Sequence, residues 1–292
     1  MQDPRVLIIG HGYLGSFLAG ELHRAGFAVA AMHRGPASCE TYPVLSGDVA
    51  DLDSLGGLPF QTPDVIVHCA SSSRGGPETY RAVFVEGIQN LQAVFPEVPV
   101  IFTSSTSVYG QTDGSVIDET SETIPDRETG RILLEAEQLA LSGGGIALRL
   151  AGIYGPGRSV HLKKLLAGTA TIEDVIPSRY LNQIHRDDAA KAILHLIRDD
   201  PKAHRGDLYN VVDNTALTQR GCYEALAEWF SLPLPPLAPP DPDRKRGWTH
   251  KFVSNTALRA TGWGPTYPSF LDAVRDDPFL VSSIREAIAS NT

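Results

Sequence analysis

The sequence predicts an α/β fold, in which a doubly wound parallel sheet is covered by helices on both faces and followed by a smaller C-terminal lobe. Three features of the 292 residues predict it. Short apolar runs alternate with helix-like segments through the first half, as in a parallel sheet with right-handed helical crossovers. The runs are nearly continuously apolar, which suits strands buried on both faces. After Leu150 the alternation loosens, which indicates a second, smaller lobe.

Five apolar runs are the predicted strands of the first half. They cover residues 6–9, 28–32, 65–68, 98–102 and 146–150. Between the first two runs, residues 13–25 place apolar side chains on one helical stripe, and Gly26 follows as a C-terminal stop signal. A helix over 186–198 and a strand over 207–212 continue the pattern.

Two lobes follow from this division of the chain. Residues 1–151, with residues 183–212 returning to them, are predicted to form the sheet domain, and residues 152–182 and 213–292 the smaller substrate-binding lobe. The proline cluster from Pro233 to Pro242 is predicted to contain no regular structure, because proline fixes its own torsion and lacks a backbone N–H donor. We expect a stiff surface loop there, with part of a lid as the alternative.

Composition excludes several classes of partner. The net charge of −9 disfavours nucleic acid and anionic membrane surfaces, which select basic proteins. No apolar run approaches the length of a membrane span, and the chain enters its first strand with no signal peptide ahead of it. The three cysteines are far apart and form no pair at metal-binding or redox spacing. These features predict a cytoplasmic protein.

The segment Gly10-His-Gly-Tyr-Leu-Gly15 has the spacing of a dinucleotide-binding loop, directly after a strand and at the start of a helix. The first glycine permits a tight turn, the second lets a pyrophosphate approach the backbone, and the third allows close helix–sheet packing. The helix N-terminus supplies amide donors for the phosphates. We therefore predict a Rossmann-type cofactor site that includes Tyr13 and Leu14. The alternative is a glycine-rich turn with no ligand.

The end of the second strand predicts which dinucleotide binds. An acidic residue at this point usually holds the adenosine ribose hydroxyls in NAD-binding proteins. This chain has Met32-His-Arg-Gly35 instead, so that Arg34, beside His33, can pair with a 2′-phosphate. The sequence therefore favours NADP, with NAD as the other candidate. A solvated surface arginine is the alternative interpretation of Arg34.

The segment Phe102-Thr-Ser-Ser-Thr-Ser-Val-Tyr-Gly110 resembles the strand-end serine motif of the extended short-chain dehydrogenase/reductases, the family of nucleotide-sugar epimerases and dehydratases. The resemblance implies that Ser105 is the catalytic serine, which bonds the reacting substrate oxygen. In that family a Tyr-x-x-x-Lys pair follows on a helix, but here Thr129 and Leu133 stand at those positions. A threonine hydroxyl does not exchange a proton on its own at neutral pH.

Further segments resemble the same family in its order along the chain. They are Gly47-Asp48-Val49, His68-Cys-Ala-Ser-Ser72, Arg149-Leu-Ala-Gly-Ile-Tyr-Gly-Pro-Gly-Arg158, Asn182-Gln-Ile-His-Arg-Asp-Asp188, Tyr209-Asn-Val-Val and Ser254-Asn-Thr-Ala-Leu-Arg-Ala-Thr-Gly-Trp263. The resemblance implies a set of cofactor contacts beyond the glycine loop. They are Asp48, Val49, Cys69, Ala70, Ser71, Thr103 and Ile153.

The catalytic candidates each have a structural alternative. Ser105 could instead satisfy local backbone groups at the strand end. Tyr109 is the nearest alternative acid, although a packing role is the preferred interpretation. Arg131 does not simply replace the missing lysine, because it lies roughly 200° around the helix from Thr129. Leu133 belongs to an apolar stripe of that helix.

The smaller lobe supplies the substrate candidates. Tyr154 and Arg158 are predicted substrate contacts, and Arg158 could hold a phosphate or carboxylate. His161 and Tyr180 are candidate proton donors if they point into a cleft, with surface or packing roles preferred.

The leading functional hypothesis is an NADP-dependent oxidoreductase or epimerase/dehydratase-like enzyme. Its substrate would be a small polar molecule, with a nucleotide sugar as one candidate, and its proton donor would be non-standard. The first alternative is a sensor or regulatory protein that binds NAD(P)(H) without turnover. A second is an assembly subunit with the nucleotide as a structural ligand. The family resemblance also implies a homodimer, formed through helices over 80–95 and 132–141.

Overall fold

The computed structural model describes residues 4–36, 38–58, 62–73, 75–241 and 248–290. Its strands, in chain order, are β1 (Arg5–Ile9), β2 (Ala28–His33), β3 (Val44–Ser46), β4 (Val65–His68), β5 (Val100–Ser105), β6 (Val116–Ile117), β7 (Ile146–Leu150), β8 (Gly152–Tyr154), β9 (Ile172–Glu173), β10 (Gln183–His185), β11 (Leu208–Val211), β12 (Leu237–Ala238) and β13 (Phe252–Val253).

The helices alternate with the strands through the first half of the chain. They are α1 (Tyr13–Arg24), α2 (Pro77–Tyr80), α3 (Gly87–Val94), α4 (Glu128–Ser142), α5 (Val160–Leu166), α6 (Arg186–Arg198), α7 (Gln219–Phe230), α8 (Thr256–Ala260), α9 (Phe270–Asp276) and α10 (Leu280–Ala289). A π-helical segment, Arg81–Glu86, joins α2 to α3. No helix in the described part of the chain is long and apolar enough to cross a membrane.

Seven strands form the central sheet, in the order β11-β7-β5-β4-β1-β2-β3. The pairs β1–β2, β1–β4, β2–β3 and β4–β5 are all parallel. Because helices flank the sheet and its inner strands are buried almost completely, the predicted doubly wound α/β fold is confirmed. Ile9 lies opposite both Met32 and His68, so the loops after β1, β2 and β4 start at the same edge of the sheet.

Most predicted elements have the expected bounds, and two differences have a physical cause. Strand β5 begins at Val100, two residues later than predicted, because Pro99 has no N–H and contributes only its carbonyl, which accepts from Ile66. Strand β3 was not predicted. It is a three-residue edge strand without a buried residue, too short for its periodicity to be recognised.

The chain divides into two compact units. The first comprises Met1–Val108, Pro125–Arg149 and Ala190–Tyr209, and the second Tyr109–Ile124, Leu150–Ala189 and Asn210–Thr292. The sequence pattern did not separate residues 109–124 from the sheet domain. The second unit has a core cluster of its own, in which the largest fully buried side chains are Tyr154, Tyr223 and Phe270.

The proline segment contains regular structure, contrary to the prediction. Strand β12 pairs in parallel with β9. The Ile172 N–H donates to the Pro236 carbonyl at 3.0 Å, and the Asp174 N–H donates to the Ala238 carbonyl at 2.9 Å. Proline lacks a donor but keeps its acceptor, and Leu237 and Ala238 keep both groups, so a short edge pairing forms. Pro242 lies outside the described residues.

Candidate functional site

The first and third glycines of the loop are fixed by close packing. Gly10 has φ of +102°, and a Cβ there would lie 2.4 Å from the Ala70 backbone. A Cβ on Gly15 would lie 1.9 Å from the Gly10 carbonyl oxygen and 2.9 Å from the Cys69 Sγ. The turn and the approach of α1 to the sheet therefore tolerate no side chain at either position.

The space around Gly12 is open, in contrast to the close packing at Gly10 and Gly15. Gly12 is exposed, and a Cβ there would meet nothing within 4 Å. It is also the N-terminal cap of α1, where no side chain caps the helix and no acidic residue occupies the first turn. The positive end of the helix dipole thus meets open space, which suits an anionic ligand. Tyr13 is half-buried here, and Leu14 packs into the core.

The loop lies at the point where the order of the strands reverses. The chain proceeds from β1 to β2 and β3 on one side of the sheet, and from β4 to β5 on the other. Ligands of open α/β sheets bind beyond the strand ends at such a switch point. On the β4 side, the Cys69 N–H donates to the Ile9 carbonyl at 2.9 Å, Ala70 is half-buried and Ser71 is exposed. Burial raises the pKa of the Cys69 thiol to about 12, so it is not a nucleophile at neutral pH.

Arg34 is exposed at the end of β2, and its side chain crosses to the β4 side of the loop. An Nη2 group donates to the Ser71 carbonyl at 3.0 Å. A guanidinium has several further N–H donors, so this bond does not exhaust it. Beside it, the His33 Nδ1 accepts from the Gly35 N–H at 3.0 Å. Two predicted cofactor residues, Arg34 and Ser71, are therefore brought together by a direct hydrogen bond.

The end of β3 holds the residues expected at the adenine edge. The Gly47 N–H donates to the His33 carbonyl at 3.0 Å, which ties the loop after β3 to the end of β2. The Asp48 carboxylate accepts from the Ala50 N–H at 3.1 Å and is partly exposed. The Val49 side chain is 3 % exposed. Val49 can therefore contact a ligand through its backbone more readily than through its side chain.

Alternate residues of β5 point in opposite directions. Thr103 and Ser105 are partly exposed, whereas Ser104 between them is buried. The Thr103 hydroxyl donates to the His68 carbonyl at 3.1 Å, and the Ser105 Oγ accepts from the Ser107 N–H at 3.2 Å. Ser105 thus makes the local backbone bond that was its structural alternative, while its own hydroxyl proton can still be donated.

A buried ion pair lies under the serine motif, and it was not predicted from the sequence. The Glu137 carboxylate of α4 accepts from the Ser104 hydroxyl at 2.5 Å and from the Arg149 Nη2 of β7 at 2.7 Å. The Glu137 and Arg149 side chains are 4 % and 6 % exposed. An arginine inside the apolar strand Ile146–Leu150 was the available signal, since a buried cation requires a buried partner.

Helix α4 presents no Tyr–Lys pair. Thr129 is half-buried in its first turn, and Leu133 is 5 % exposed and packs with Ile132 and Ala136 on the apolar face. Arg131 is exposed, and its Nη1 lies 3.5 Å from the Pro125 carbonyl. In the structure, therefore, the position of the family's lysine is part of the core of the first unit.

Tyr109 does not have the surroundings of a catalytic acid. Its side chain is 0 % exposed, and its hydroxyl lies 3.0 Å from both the Asp118 carbonyl and the Asn210 Oδ1. Its own carbonyl accepts from the Lys251 Nζ at 2.6 Å. A hydroxyl held on both sides and shielded from solvent cannot reach a substrate, so the prediction of Tyr109 as a catalytic residue is corrected to a packing role.

Tyr154 is likewise a core residue of the second unit rather than a substrate contact. It is 1 % exposed, its ring lies edge-on to Phe270 at 4.9 Å, and its hydroxyl donates to the Ser269 carbonyl at 3.4 Å. Burial raises its pKa well above the ordinary value. Arg158 is exposed and Ile153 of β8 is half-buried, so both keep surface for a ligand.

The two candidate proton donors of the second unit have aromatic and hydrogen-bonded partners. His161 lies 3.1 Å from the Tyr223 hydroxyl through Nδ1, and Tyr223 is buried in the core. Tyr180 stacks on His250, with ring centroids 5.1 Å apart. Both arrangements agree with the packing roles that the sequence favoured.

Comparison with known proteins identifies the family. Residues 6–211 match the family described as NAD dependent epimerase/dehydratase. Protein YeeZ of Escherichia coli (strain K12) is 30 % identical over 247 residues, covering 79 % of this chain and 85 % of YeeZ. A candidate NAD-dependent epimerase/dehydratase from Methylobacillus flagellatus is 30 % identical with a TM-score of 0.78, covering 98 % of this chain and all of that one.

A UDP-glucose 4-epimerase from Thermus thermophilus, solved in complex with NAD, has the same fold. Its TM-score is 0.77 at 21 % identity, covering 96 % of this chain and 99 % of that one. The family match spans more than half of the chain, and its residues include the glycine loop, Arg34 and the serine motif. The chain therefore belongs to the NAD dependent epimerase/dehydratase family, as an atypical member without the Tyr-x-x-x-Lys pair.

Proposed function

We propose that this protein is an NADP-dependent oxidoreductase or epimerase/dehydratase-like enzyme. The observation that carries the proposal is the open, uncapped start of α1 at Gly12, with the Arg34 guanidinium on the neighbouring strand end. The amide groups and helix dipole suit a pyrophosphate, and a guanidinium suits the ribose 2′-phosphate that distinguishes NADP from NAD. The glycine loop and Arg34 both belong to the first unit.

The chemistry rests on Ser105, together with a proton donor other than tyrosine. Ser105 is partly exposed at the carboxyl end of β5 and can donate its hydroxyl hydrogen bond to a carbonyl or alcohol oxygen. When bound, the nicotinamide would supply hydride transfer. Thr129, in the same unit as Ser105, supplies a hydroxyl that can position a water molecule or a substrate group. In the second unit, the exposed Arg158 suits an anionic group. We infer a small, polar substrate, of which a nucleotide sugar is one class.

A second candidate is an NADP(H) sensor without turnover, and one observation favours it. Leu133 is buried in the apolar face of α4, so no cation stands where the family's lysine acts. The same surroundings would suit a protein that binds the cofactor and reports its presence by a change of conformation or partner.

Two measurements separate these candidates. Oxidation of NADPH by purified protein, followed by its absorbance with a panel of aldehydes, ketones and keto sugars, should give turnover that Gly12→Val abolishes. The variant Thr129→Val should lower that turnover roughly 100-fold if the threonine hydroxyl positions the reacting group or water. Tight NADPH binding without turnover on any substrate would contradict the enzyme and support the sensor.

A further inference from the structure

Two histidines flank the arginine at the proposed ribose 2′-phosphate position. Ile9 lies opposite Met32 in the β1–β2 ladder, and the Gly10 N–H donates to the Met32 carbonyl at 2.9 Å. His11, which follows β1, therefore lies beside His33 and Arg34, which are at the end of the neighbouring strand β2. Adjacent strands are separated by only ~5 Å, so side chains of these two loops share one surface.

His11 is held in place by a tyrosine from a third segment. Its Nε2 lies 3.0 Å from the Tyr42 hydroxyl, which in turn lies 3.4 Å from the Ser16 carbonyl. The two rings meet edge-on, with centroids 5.8 Å apart. The carbonyl can only accept, so in this chain of bonds Tyr42 donates to Ser16 and His11 Nε2–H donates to Tyr42. The Nδ1 atom of His11 is then the one that gains a proton.

His33 keeps its local partner, the Gly35 backbone, in either tautomer of its ring. Its Nδ1 lies 3.0 Å from the Gly35 nitrogen and 3.2 Å from the Gly35 oxygen. A neutral Nδ1 accepts from the N–H, and a protonated Nδ1 donates to the carbonyl. The loop after β2 thus holds the His33 imidazole beside Arg34.

We propose that His11, His33 and Arg34 form a phosphate-monoester subsite for the ribose 2′-phosphate, and that filling it couples NADP binding to proton uptake by His11. This inference rests on the proposed NADP site and adds its pH dependence. At about pH 7.5 and above, where a phosphate monoester is already a dianion, arginine alone would give a cofactor preference that is insensitive to pH, because a guanidinium stays protonated. A histidine in the same subsite makes the preference depend on pH.

The charges around His11 support proton uptake on binding. Partial burial lowers the pKa of His11, and the neighbouring His33 lowers it further. Among the described residues, Tyr42 is also surrounded by His23 and Arg24 of α1 and by the Cys39 thiol. Burial raises the pKa of Tyr42 to about 12, so Tyr42 stays neutral. A phosphate dianion supplies the missing opposite charge, which raises the pKa of His11 and draws a proton from solvent.

The test is calorimetric titration with NADP and with NAD at about pH 7.5. At that pH a phosphate monoester, whose second pKa is about 6, is already a dianion and contributes little to the proton balance. Titrations in several phosphate-free buffers of different ionisation enthalpy give the number of protons taken up. We expect uptake of about half a proton or more per NADP and none for NAD. The NADP affinity should fall by about threefold to tenfold per pH unit around that pH.

Two matched variants locate the proton. His11→Asn cannot titrate, so it should lose the uptake. His23→Asn removes an exposed imidazole on the other side of the same tyrosine and should keep it. Should His11→Asn fail to fold, His11→Gln gives the same measurement, and the NADP–NAD contrast in the wild type needs no variant.

Several results would overturn this inference, and they differ from a failure of the proposed function. NADP binding without proton uptake, equal uptake for NAD, or uptake that survives in His11→Asn would each refute the subsite while leaving NADP binding intact. Absence of NADP binding at every pH would refute the proposed function itself, and the subsite with it.

Discussion

Arg34 is the residue on which the proposed cofactor preference depends. Its guanidinium is exposed and donates to a backbone carbonyl, and no carboxylate of the described residues forms an ion pair with it. A charged hydrogen bond to a phosphate is worth more than one to a neutral carbonyl. A 2′-phosphate can therefore compete for this side chain at a net gain, whereas a ribose hydroxyl offers little.

The first prediction concerns this residue. Arg34→Ala should weaken NADP binding by about 1–3 kcal/mol and leave NAD binding nearly unchanged, because only the 2′-phosphate loses a charged partner. Calorimetric titration of both cofactors measures the difference. Arg131→Ala, which removes an exposed arginine from α4, is the control and should change neither. Equal losses for both cofactors would assign Arg34 to another role.

His68 is a buried histidine at the end of β4, and it gives the protein a titration in acid. It is 0 % exposed, and its Nε2 lies 2.9 Å from the Val83 carbonyl, to which it donates. Among the described residues its Nδ1 has no hydrogen-bond partner. Burial lowers the pKa of His68 from 6.5 to about 4. The unfolded chain therefore binds the proton more tightly than the folded one, and stability falls as the pH drops below 6.5.

The second prediction is the size of this effect. Between about pH 7 and pH 4, His68 should account for a loss of about 2–3 kcal/mol in the free energy of unfolding. His68→Leu should be less stable than the wild type at neutral pH, because the Val83 carbonyl loses its donor, but it should lose less stability on acidification. Urea denaturation at several pH values measures both, with His23→Leu as an exposed control. The same pH dependence in His68→Leu would contradict this assignment.

Helix α4 shows how an element changes when its catalytic residues are replaced. In this chain the helix buries Leu133 with Ile132 and Ala136, and one turn further on Glu137 pairs with Arg149. The face of the helix that carries the Tyr–Lys pair in the family is therefore partly core. The one charged side chain on the buried face of this fully described helix is an acid that is already paired, so that face offers no cation for proton transfer.

The third prediction is that Leu133→Lys is destabilising. It places an ammonium in an apolar face with no partner, and such a change typically costs about 2–4 kcal/mol. Leu134→Lys, on the half-buried neighbouring position, is the matched control and should cost much less. Urea denaturation of the two variants gives the comparison. Equal stability of Leu133→Lys and the wild type would mean that the lysine reaches solvent or a ligand. Position 133 would then again be a candidate catalytic position.

Elements with a strong local pattern were predictable, and contacts between distant segments were not. The apolar runs predicted the bounds of β4 and β7, and helical spacing predicted those of α6. The glycine loop could be assigned from the sequence because each of its three glycines is required for a different steric reason, and together these requirements fix their spacing. Other contacts join residues of different elements, and a local pattern does not specify which partner a residue meets. They are the bond of Tyr109 to Asn210, the bond of Arg34 to Ser71 and the pair of Glu137 with Arg149.

For the whole molecule, the net negative charge means that binding of an anionic dinucleotide depends on the local geometry of the glycine loop. The chain has a net charge of −9, which opposes the approach of an anionic dinucleotide. Attraction must therefore come from the amide groups and dipole of α1 and from the Arg34 guanidinium at the end of β2. Removing access to the start of α1 should abolish binding even though the residues that supply these charges remain.

The most direct test of this claim is calorimetric titration of Gly12→Val with NADP and NAD. Gly12 has φ of −95° and ψ of −155°, and a Cβ there meets nothing within 4 Å, so valine should be tolerated in the fold while filling the space of the pyrophosphate. Gly76→Val is the matched control, since Gly76 is another exposed helix cap with φ of −82° and open surroundings.

We predict that the wild type and Gly76→Val bind NADP more tightly than NAD. We also predict that Gly12→Val, with an unchanged circular dichroism spectrum, binds neither. Retention of NADP affinity by a folded Gly12→Val variant would contradict the central claim, because the dinucleotide would then bind somewhere other than the glycine loop.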